Sequence, residues 1–195
     1  LQKNTARIVG VLNKGDFLLY EDGIKQEITH FSQDELPLSV VLAIDRGPVC
    51  PYRIDTWSAE AHRAAREAID RLKLVDEIAV MSFTDTTKLI QPFTRNRIQL
   101  EKALNNIPEQ AKTANVAHCF NLMFADAAEH MFKASNPAGR RVIIVITSMT
   151  RLFDCRNGPS NRAATNAIYE SGAVVCAIIP RVIIQRVENA LQSVS

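Results

Sequence analysis

The sequence predicts a doubly wound α/β domain, in which a mostly parallel sheet carries helices on both faces. Three stretches are apolar almost throughout and short enough for strands: SVVLAID at 39–45, RVIIVIT at 141–147 and AVVCAII at 173–179. Continuous apolar runs of this length are typical of strands that are buried on both faces of a parallel sheet. Amphipathic segments separate these runs, and strands that alternate with helices predict parallel βαβ units.

The remaining elements follow from local patterns along the chain. Asp22-Gly23 between two short apolar runs predicts an N-terminal β-hairpin, because both residues tolerate a positive φ. The short turn at 85–87 predicts that the strand at 88–93 pairs antiparallel with the strand at 78–83, at an edge of the sheet. Apolar residues at helical spacing predict helices at 57–72, 97–105, 116–133, 160–171 and 187–191.

Composition narrows the classes of partner. The chain has 195 residues, of which 47% are hydrophobic and 23% charged, and its formal net charge is +2. So small a charge gives no general attraction to nucleic acid, and no apolar run approaches the roughly 20 residues that span a bilayer. We therefore expect no nucleic-acid binding and no membrane insertion by this segment. Residues 1–36 are assigned to the hairpin and a linker, and residues 37–195 to the α/β domain.

The four cysteines do not form a C-x-x-C pair, which argues against zinc-ribbon and thioredoxin-type sites. Cys176 in an apolar strand and Cys119 in a predicted helix are expected to be buried as small hydrophobic residues. Cys50 and Cys155 both follow predicted strands. A disulfide between these two is geometrically feasible, and two free thiols are the simpler alternative.

Signatures of the common enzymes with this fold are missing. No strand is followed by the G-x-G-x-x-G turn of dinucleotide-binding proteins, and the chain contains neither the P-loop pattern nor the G-x-S-x-G nucleophile elbow. The histidines do not indicate a metal site either. If His118 and His130 lie on one helix, their side chains point about 120° apart and cannot bind the same metal ion. The sequence therefore predicts a protein that is not an enzyme.

The order of segments resembles a von Willebrand factor A (VWA) domain. The strand ending at Asp45 is followed by a helix, IAVMSFTD, KLIQPFT, KTAN, RVIIVITS and VVCAII in the order that such domains have. The segment DFLLYEDGIKQEITHFS, which precedes LPLSVVLAID, resembles a bacterial VWFA-related family with a D-F-x-x-Y-E-D-G hairpin before the domain. The resemblance covers the chain from Val11 onward and implies an adhesion-type interaction module.

The resemblance also implies a place for a metal-ion-dependent adhesion site (MIDAS). Such sites use D-x-S-x-S, a threonine and a later aspartate. The corresponding positions here are Asp45, Gly47, Val49, Thr113 and Ser148, so that the two serines and the second aspartate are missing. Mg²⁺ needs near-octahedral oxygen coordination, which this set cannot supply. We expect a degenerate site with no cofactor and at most weak Mg²⁺ binding, where Asp45 instead accepts N–H groups of its own loop.

Arginines are the second notable feature of the predicted loops at this end of the sheet. A solvated scatter of charges and a basic patch for an acidic partner are both compatible with the pattern, which comprises Arg46, Arg53, Arg151 and Arg156. An arginine can clamp a carboxylate with its planar fork. The predicted protein-binding surface comprises Asp45, Arg46, Thr113, Ser148 and Arg151.

Three functions are compatible with these observations. The first, which the missing catalytic groups favour, is a protein-interaction module that binds another protein without a metal. The second is a metal-dependent ligand-binding or hydrolytic domain that uses Asp45. The third is a structural domain of a larger envelope or secreted protein. The family resemblance favours an extracytoplasmic or secreted location.

Overall fold

The computed structural model describes residues 12–29, 31, 36–47, 54–108, 117–136, 139–148, 155 and 158–180. The chain divides into two compact units, Leu1–Glu35 and Leu36–Ser195. The described elements, in chain order, are β1 (Leu19–Glu21), β2 (Ile24–Gln26), β3 (Leu38–Asp45), α1 (Ile54–Asp70), β4 (Glu77–Phe83), β5 (Thr87–Thr94), α2 (Arg97–Asn105), α3 (Phe120–Met131), β6 (Arg140–Ile146), α4 (Asn161–Ser171) and β7 (Ala173–Ile178).

The first unit contains the predicted hairpin. Strands β1 and β2 pair antiparallel, with Glu21 opposite Ile24. The two turn residues have the left-handed backbone that the sequence predicts, with φ of 50° at Asp22 and 79° at Gly23. Consecutive residues with positive φ give a turn whose twist matches that of the flanking strands, and this explains the two-residue loop.

The second unit contains a five-stranded sheet in the order β5-β4-β3-β6-β7. Strand β3 pairs parallel with β4 and with β6, and β6 pairs parallel with β7. Strand β5 pairs antiparallel with β4 and forms one edge. The predicted α/β fold with a mostly parallel sheet is therefore confirmed, as is the antiparallel edge strand.

Side chains of the central strands alternate between two cores, because successive residues of a strand face opposite sides of the sheet. One core lies under α1 and α2 and contains Val40, Leu42, Ile44, Ile78, Val80 and Ile146 from the strands. The other lies under α3 and contains Val41, Ala43, Ala79, Met81, Phe83, Ile143 and Val145. Burial on both faces explains why these strands are apolar without interruption.

Three details differ from the sequence-based expectations or lie beyond the description. Helix α3 begins at Phe120 rather than near residue 116, so His118 and Cys119 precede it. Cys176 is exposed rather than buried, because β7 forms an edge of the described sheet. The helix predicted at 187–191 lies outside the described residues. Within the described part of the chain, no helix combines the length and apolar character that crossing a membrane requires.

A buried carboxylate anchors the amino-terminal end of the sheet. Glu77, which begins β4, is only 2% exposed. Its carboxylate accepts hydrogen bonds from Ser39 Oγ (2.7 Å), from Ser135 N and Oγ (2.7 and 2.5 Å) and from Asn136 N (3.1 Å). Burial acts to raise the pKa of Glu77, but the four hydrogen bonds outweigh it and hold that pKa below its ordinary value of 4.5.

We expect Glu77→Gln to lower the free energy of unfolding by about 1–3 kcal/mol at neutral pH, because the amide cannot accept all of these hydrogen bonds. A depressed pKa in the folded state adds stability above the unfolded-state pKa, and this stability is lost as pH falls through the folded-state pKa. Urea titrations at several pH values should therefore show the difference from wild type shrinking below about pH 4. Glu129→Gln, on an exposed surface, is the control, and an equal deficit of Glu77→Gln at pH 3 and pH 7 would contradict the expectation.

Candidate functional site

The candidate site lies at the carboxyl end of β3, the central strand of the sheet. Parallel strands β3, β4, β6 and β7 end at the same edge, which is where α/β sheets bind ligands. Asp45 is the last residue of β3 and is fully buried. A buried carboxylate needs several hydrogen-bond donors, so the groups around Asp45 determine what this edge of the sheet can do.

Three groups among the described residues converge on the Asp45 carboxylate. The backbone N–H of Gly47 donates to Oδ1 at 2.8 Å, and the hydroxyl of Thr147 donates to Oδ2 at 2.6 Å. His118 Nδ1 lies 2.8 Å from Oδ1 and 2.9 Å from Oδ2. Because an ionised carboxylate only accepts hydrogen bonds, His118 must carry its proton on Nδ1. Both carboxylate oxygens therefore already have partners within the chain.

Gly47 is required by the position of the His118 ring. A Cβ atom added to Gly47 would lie inside van der Waals contact with Nδ1, Cε1 and Cγ of the imidazole. Any side chain at residue 47 would thus displace His118 from Asp45. The missing side chain at residue 47 and the presence of His118 are two parts of one arrangement.

The segment that carries His118 is held from both sides. The backbone N–H of Cys119 donates to the carbonyl of Thr84 at 2.8 Å, at the end of the neighbouring strand β4. Cys119 also forms a disulfide with Cys155, with Cα atoms 5.0 Å apart. The Asn121 side chain, on the first turn of α3, accepts a hydrogen bond from Cys155 N (3.3 Å) and donates to the carbonyl of Pro159 (2.5 Å). His118 is consequently fixed next to Asp45 although 73 residues separate them.

The cysteine pairing predicted as one alternative is wrong. Cys155 pairs with Cys119 rather than with Cys50, which lies outside the described residues. Cys119 was expected within a helix, as a small hydrophobic residue buried in the core. Helix α3 begins at Phe120, the residue after Cys119, so Cys119 lies at the helix boundary. Its side chain reaches Cys155 in the segment that follows β6.

The predicted site residues have different outcomes. Asp45 accepts the N–H of its own loop, as expected. Ser148, two residues beyond β6, is half-buried, but the residue of that segment that bonds to Asp45 is its neighbour Thr147. The structure gives no description of three further predicted positions, Val49, Thr113 and Arg151.

Arg46 was expected on the protein-binding surface, but in the structure it is buried. Its residue is only 3% exposed, and its backbone N–H donates to the carbonyl of Phe83 at 2.7 Å. The side chain is close enough to α1 to act on His62. Burial in the first place, and then the positive charges of Arg46 and Arg66, lower the pKa of His62 below its usual 6.5. Arg46 therefore belongs to the buried support of the loop.

Sequence reasoning missed His118 and Thr147. Thr147 had a usable signal, since it is the polar residue at the end of the apolar run RVIIVIT and β6 was predicted beside β3. His118 had none, because VAHCF is the first turn of the helix predicted at 116–133 and nothing in it indicates that the helix begins later. Only the start of α3 at Phe120 directs the imidazole to Asp45.

Comparisons with known proteins agree with this architecture. The family model described as von Willebrand factor type A domain matches residues 52–150, which is 99 of the 195 residues and slightly more than half. The match begins after Asp45, so it does not include the first aspartate of the implied metal site. None of the curated proteins compared with the chain matches it.

Solved structures with the same fold come from distant sources. Proximal thread matrix protein 1 from the mussel byssus has a TM-score of 0.61 at 13% identity, and the match covers 73% of this chain and 38% of the mussel chain. One structure of that protein is described as having zinc in its MIDAS motif. An aerotolerance-related membrane protein from Bacteroides fragilis has a TM-score of 0.57 at 17% identity, covering 73% of this chain and 67% of that one.

A third similar structure is itself a von Willebrand factor type A protein, from Catenulispora acidiphila. Its TM-score is 0.54 at 17% identity, and the match covers 73% of this chain and 33% of that chain. This chain therefore spans well under half of the mussel and Catenulispora proteins. With the family model and the sheet topology, these matches lead to one conclusion: the chain belongs to the von Willebrand factor type A domain family, whose members are adhesion and protein-interaction modules.

Proposed function

We propose that this chain is a non-enzymatic protein-interaction module that binds its partner without a metal ion, through the loops at the carboxyl edge of the sheet. The observation that carries this proposal is the saturation of the Asp45 carboxylate by His118, Thr147 and Gly47. A carboxylate buried among three donors of its own chain is not presented to a cation or to a substrate. Asp45 then has a structural role, which is to hold the loops of the edge together.

The chemistry of the donor set supports a degenerate metal site. Mg²⁺ takes six oxygen ligands at about 2.1 Å and gives up its water reluctantly. At the family's ligand positions, Gly47 and Val49 carry no side-chain oxygen, and Ser148 replaces a charged aspartate with a neutral hydroxyl. The His118 ring also occupies the space into which a side chain at residue 47 would project. These residues do not fit the cation, and we assign no metal chemistry to the site.

Candidate contacts with the partner lie on the loops that surround Asp45. Ser148 is half-buried and follows the residue that bonds to Asp45. Thr113 and Arg151 belong to the same proposed surface on the family's pattern. We leave Arg46 out because its side chain is buried. A surface of this kind recognises a partner by shape, hydrogen bonds and arginine contacts, which mostly affect association rate and salt dependence.

The disulfide supports an extracytoplasmic location for the proposed module. Disulfides persist in oxidising compartments and are rare in the cytosol, where thiols are kept reduced. The Cys119–Cys155 bridge links two positions of the second unit that are 36 residues apart in the sequence. An interaction module that works outside the cytoplasm would form this bridge after export.

Calorimetric titration with Mg²⁺ and Mn²⁺ tests the proposal directly. We expect no saturable heat at millimolar cation concentrations, because both oxygens of Asp45 are already hydrogen-bonded. Asp45→Asn is the matched variant, since it keeps the shape of the side chain and removes its charge. The wild-type and variant isotherms should coincide. Binding of one ion per chain that Asp45→Asn abolishes would overturn the proposal in favour of a metal-dependent module.

A further inference from the structure

The disulfide joins the two chain segments that supply the side-chain partners of Asp45. His118 immediately precedes Cys119, and Thr147 precedes Cys155 by eight residues. The two segments are therefore linked twice: through Asp45, which accepts hydrogen bonds from His118 and Thr147, and through the Cys119–Cys155 disulfide. The bridge is thus the one covalent connection that we find between those segments apart from the chain itself, within the described residues.

Hydrogen bonds among the described residues also hold the turn that carries His118. One of them runs from Cys119 N to the carbonyl of Thr84, the residue after β4. Asn121 bonds to the backbone of Cys155 at 3.3 Å and to the carbonyl of Pro159 at 2.5 Å. Without the bridge, the position of His118 on Asp45 would depend on noncovalent contacts alone, these bonds and the contact with Asp45 among them.

The two sulfurs differ in accessibility. Cys119 is fully buried, whereas Cys155 is half-buried. Thiol–disulfide exchange needs a thiolate to reach one sulfur of the bond. The more accessible cysteine is therefore Cys155, where a dithiol reductant can attack and form a mixed disulfide while Cys119 leaves and takes up a proton. The second thiol of the reductant then releases Cys155 as a thiol, so that two electrons and two protons pass to the protein and the reductant becomes a disulfide.

We infer that the Cys119–Cys155 disulfide is a redox-sensitive clamp that keeps the His118 imidazole on Asp45. In the oxidised chain the clamp holds the carboxyl-edge loops in the arrangement described above. In the chain reduced by a dithiol, His118 leaves Asp45 often enough to become reactive, and the loop surface changes with it. If the chain binds a partner as proposed above, that binding then depends on the redox state of the compartment. Only this consequence rests on the proposed function.

Acylation of histidine by diethyl pyrocarbonate measures the clamp without a partner. After acylation, complete reduction and digestion with trypsin give residues 113–133 as one peptide, which contains both His118 and His130. His130 lies at the far end of α3 and is an internal reference. We expect mass spectrometry to show His118 modified at least about tenfold faster in the dithiol-treated protein, because a lost cross-link lowers the cost of local opening. The rate at His130 should not change.

Two variants make the test specific. Cys155→Ser should behave like the reduced protein and should not respond to dithiol, while Cys176→Ser, which alters a thiol outside the bridge, should behave like wild type. If Cys155→Ser does not fold, wild type before and after dithiol carries the test, with circular dichroism to check folding. Equal His118 rates in the two redox states, or a parallel rise at His118 and His130, would overturn the inference. Neither result depends on cation binding, which tests the proposed function separately.

Discussion

Asp45→Ala is expected to lower the free energy of unfolding by about 3–5 kcal/mol, because several buried donors lose their acceptor and each unsatisfied buried donor costs about 1–3 kcal/mol. Three donors would lose their acceptor: the Gly47 amide, the Thr147 hydroxyl and His118 Nδ1. The loss should be the same in chelator and in Mg²⁺. Urea denaturation at neutral pH, with and without EDTA, measures it.

A double-mutant cycle identifies the contact that is responsible. His118→Gln alone should also destabilise the chain, and combining it with Asp45→Ala should cost less than the sum of the two, with a coupling of about 1–3 kcal/mol. His62→Gln, on α1, is the matched control for a histidine change and should show little coupling to Asp45→Ala. Additive losses for Asp45 and His118 would mean that the contact contributes nothing to stability, and a loss of stability seen only when Mg²⁺ is present would indicate a bound cation.

Removal of the Cys119–Cys155 bridge is expected to cost about 4 kcal/mol, because the cross-link closes a loop of 36 residues in the unfolded chain. The variant that carries both Cys119→Ala and Cys155→Ala tests this by chemical denaturation. Its stability should not respond to dithiol, while wild type in dithiol should approach the variant. Cys176→Ser, at an exposed position, should stay within about 0.5 kcal/mol of wild type.

Peptide mapping without reduction checks the pairing on which this expectation depends. Tryptic peptides 113–133 and 152–156 contain Cys119 and Cys155 and should be recovered as one linked species that dithiol separates. A linkage of 152–156 to 47–53, the peptide with Cys50, would contradict the structure. Recovery of 152–156 with a free thiol from the oxidised protein would do the same.

The fold was accessible from the sequence because each of its signals is local or periodic. Burial of β3 on both faces favours a continuous apolar run, and the sequence shows that run at Val40–Ile44. Helix α4 begins after the capping side chain of Ser160, which accepts the Ala163 N–H, and ends at Gly172, whose φ is 68°. Cap and turn residues act over three or four positions, so these boundaries follow from the sequence.

The site was accessible only in part, because its groups meet through tertiary contacts. Asp45 could be assigned from its place at the end of a strand, and the prediction that it accepts a loop N–H is confirmed by Gly47. His118 is 73 residues from Asp45 in the sequence, and Thr147 is 102 residues from it. Neither contact is indicated by a pattern of neighbouring residues. The pairing of Cys119 with Cys155 likewise depends on where α3 begins relative to the segment after β6.

By itself, the sequence determined the sheet, its helices and the aspartate at the carboxyl edge, since hydrophobic periodicity and turn chemistry are properties of neighbouring residues. What lies against that aspartate was decided by the tertiary structure alone. A one-turn difference in the start of a helix places His118 on the carboxylate and Cys119 at the bridge. The missing side chain of Gly47 has meaning only beside that ring, because the constraint is a contact in space and not a pattern along the chain.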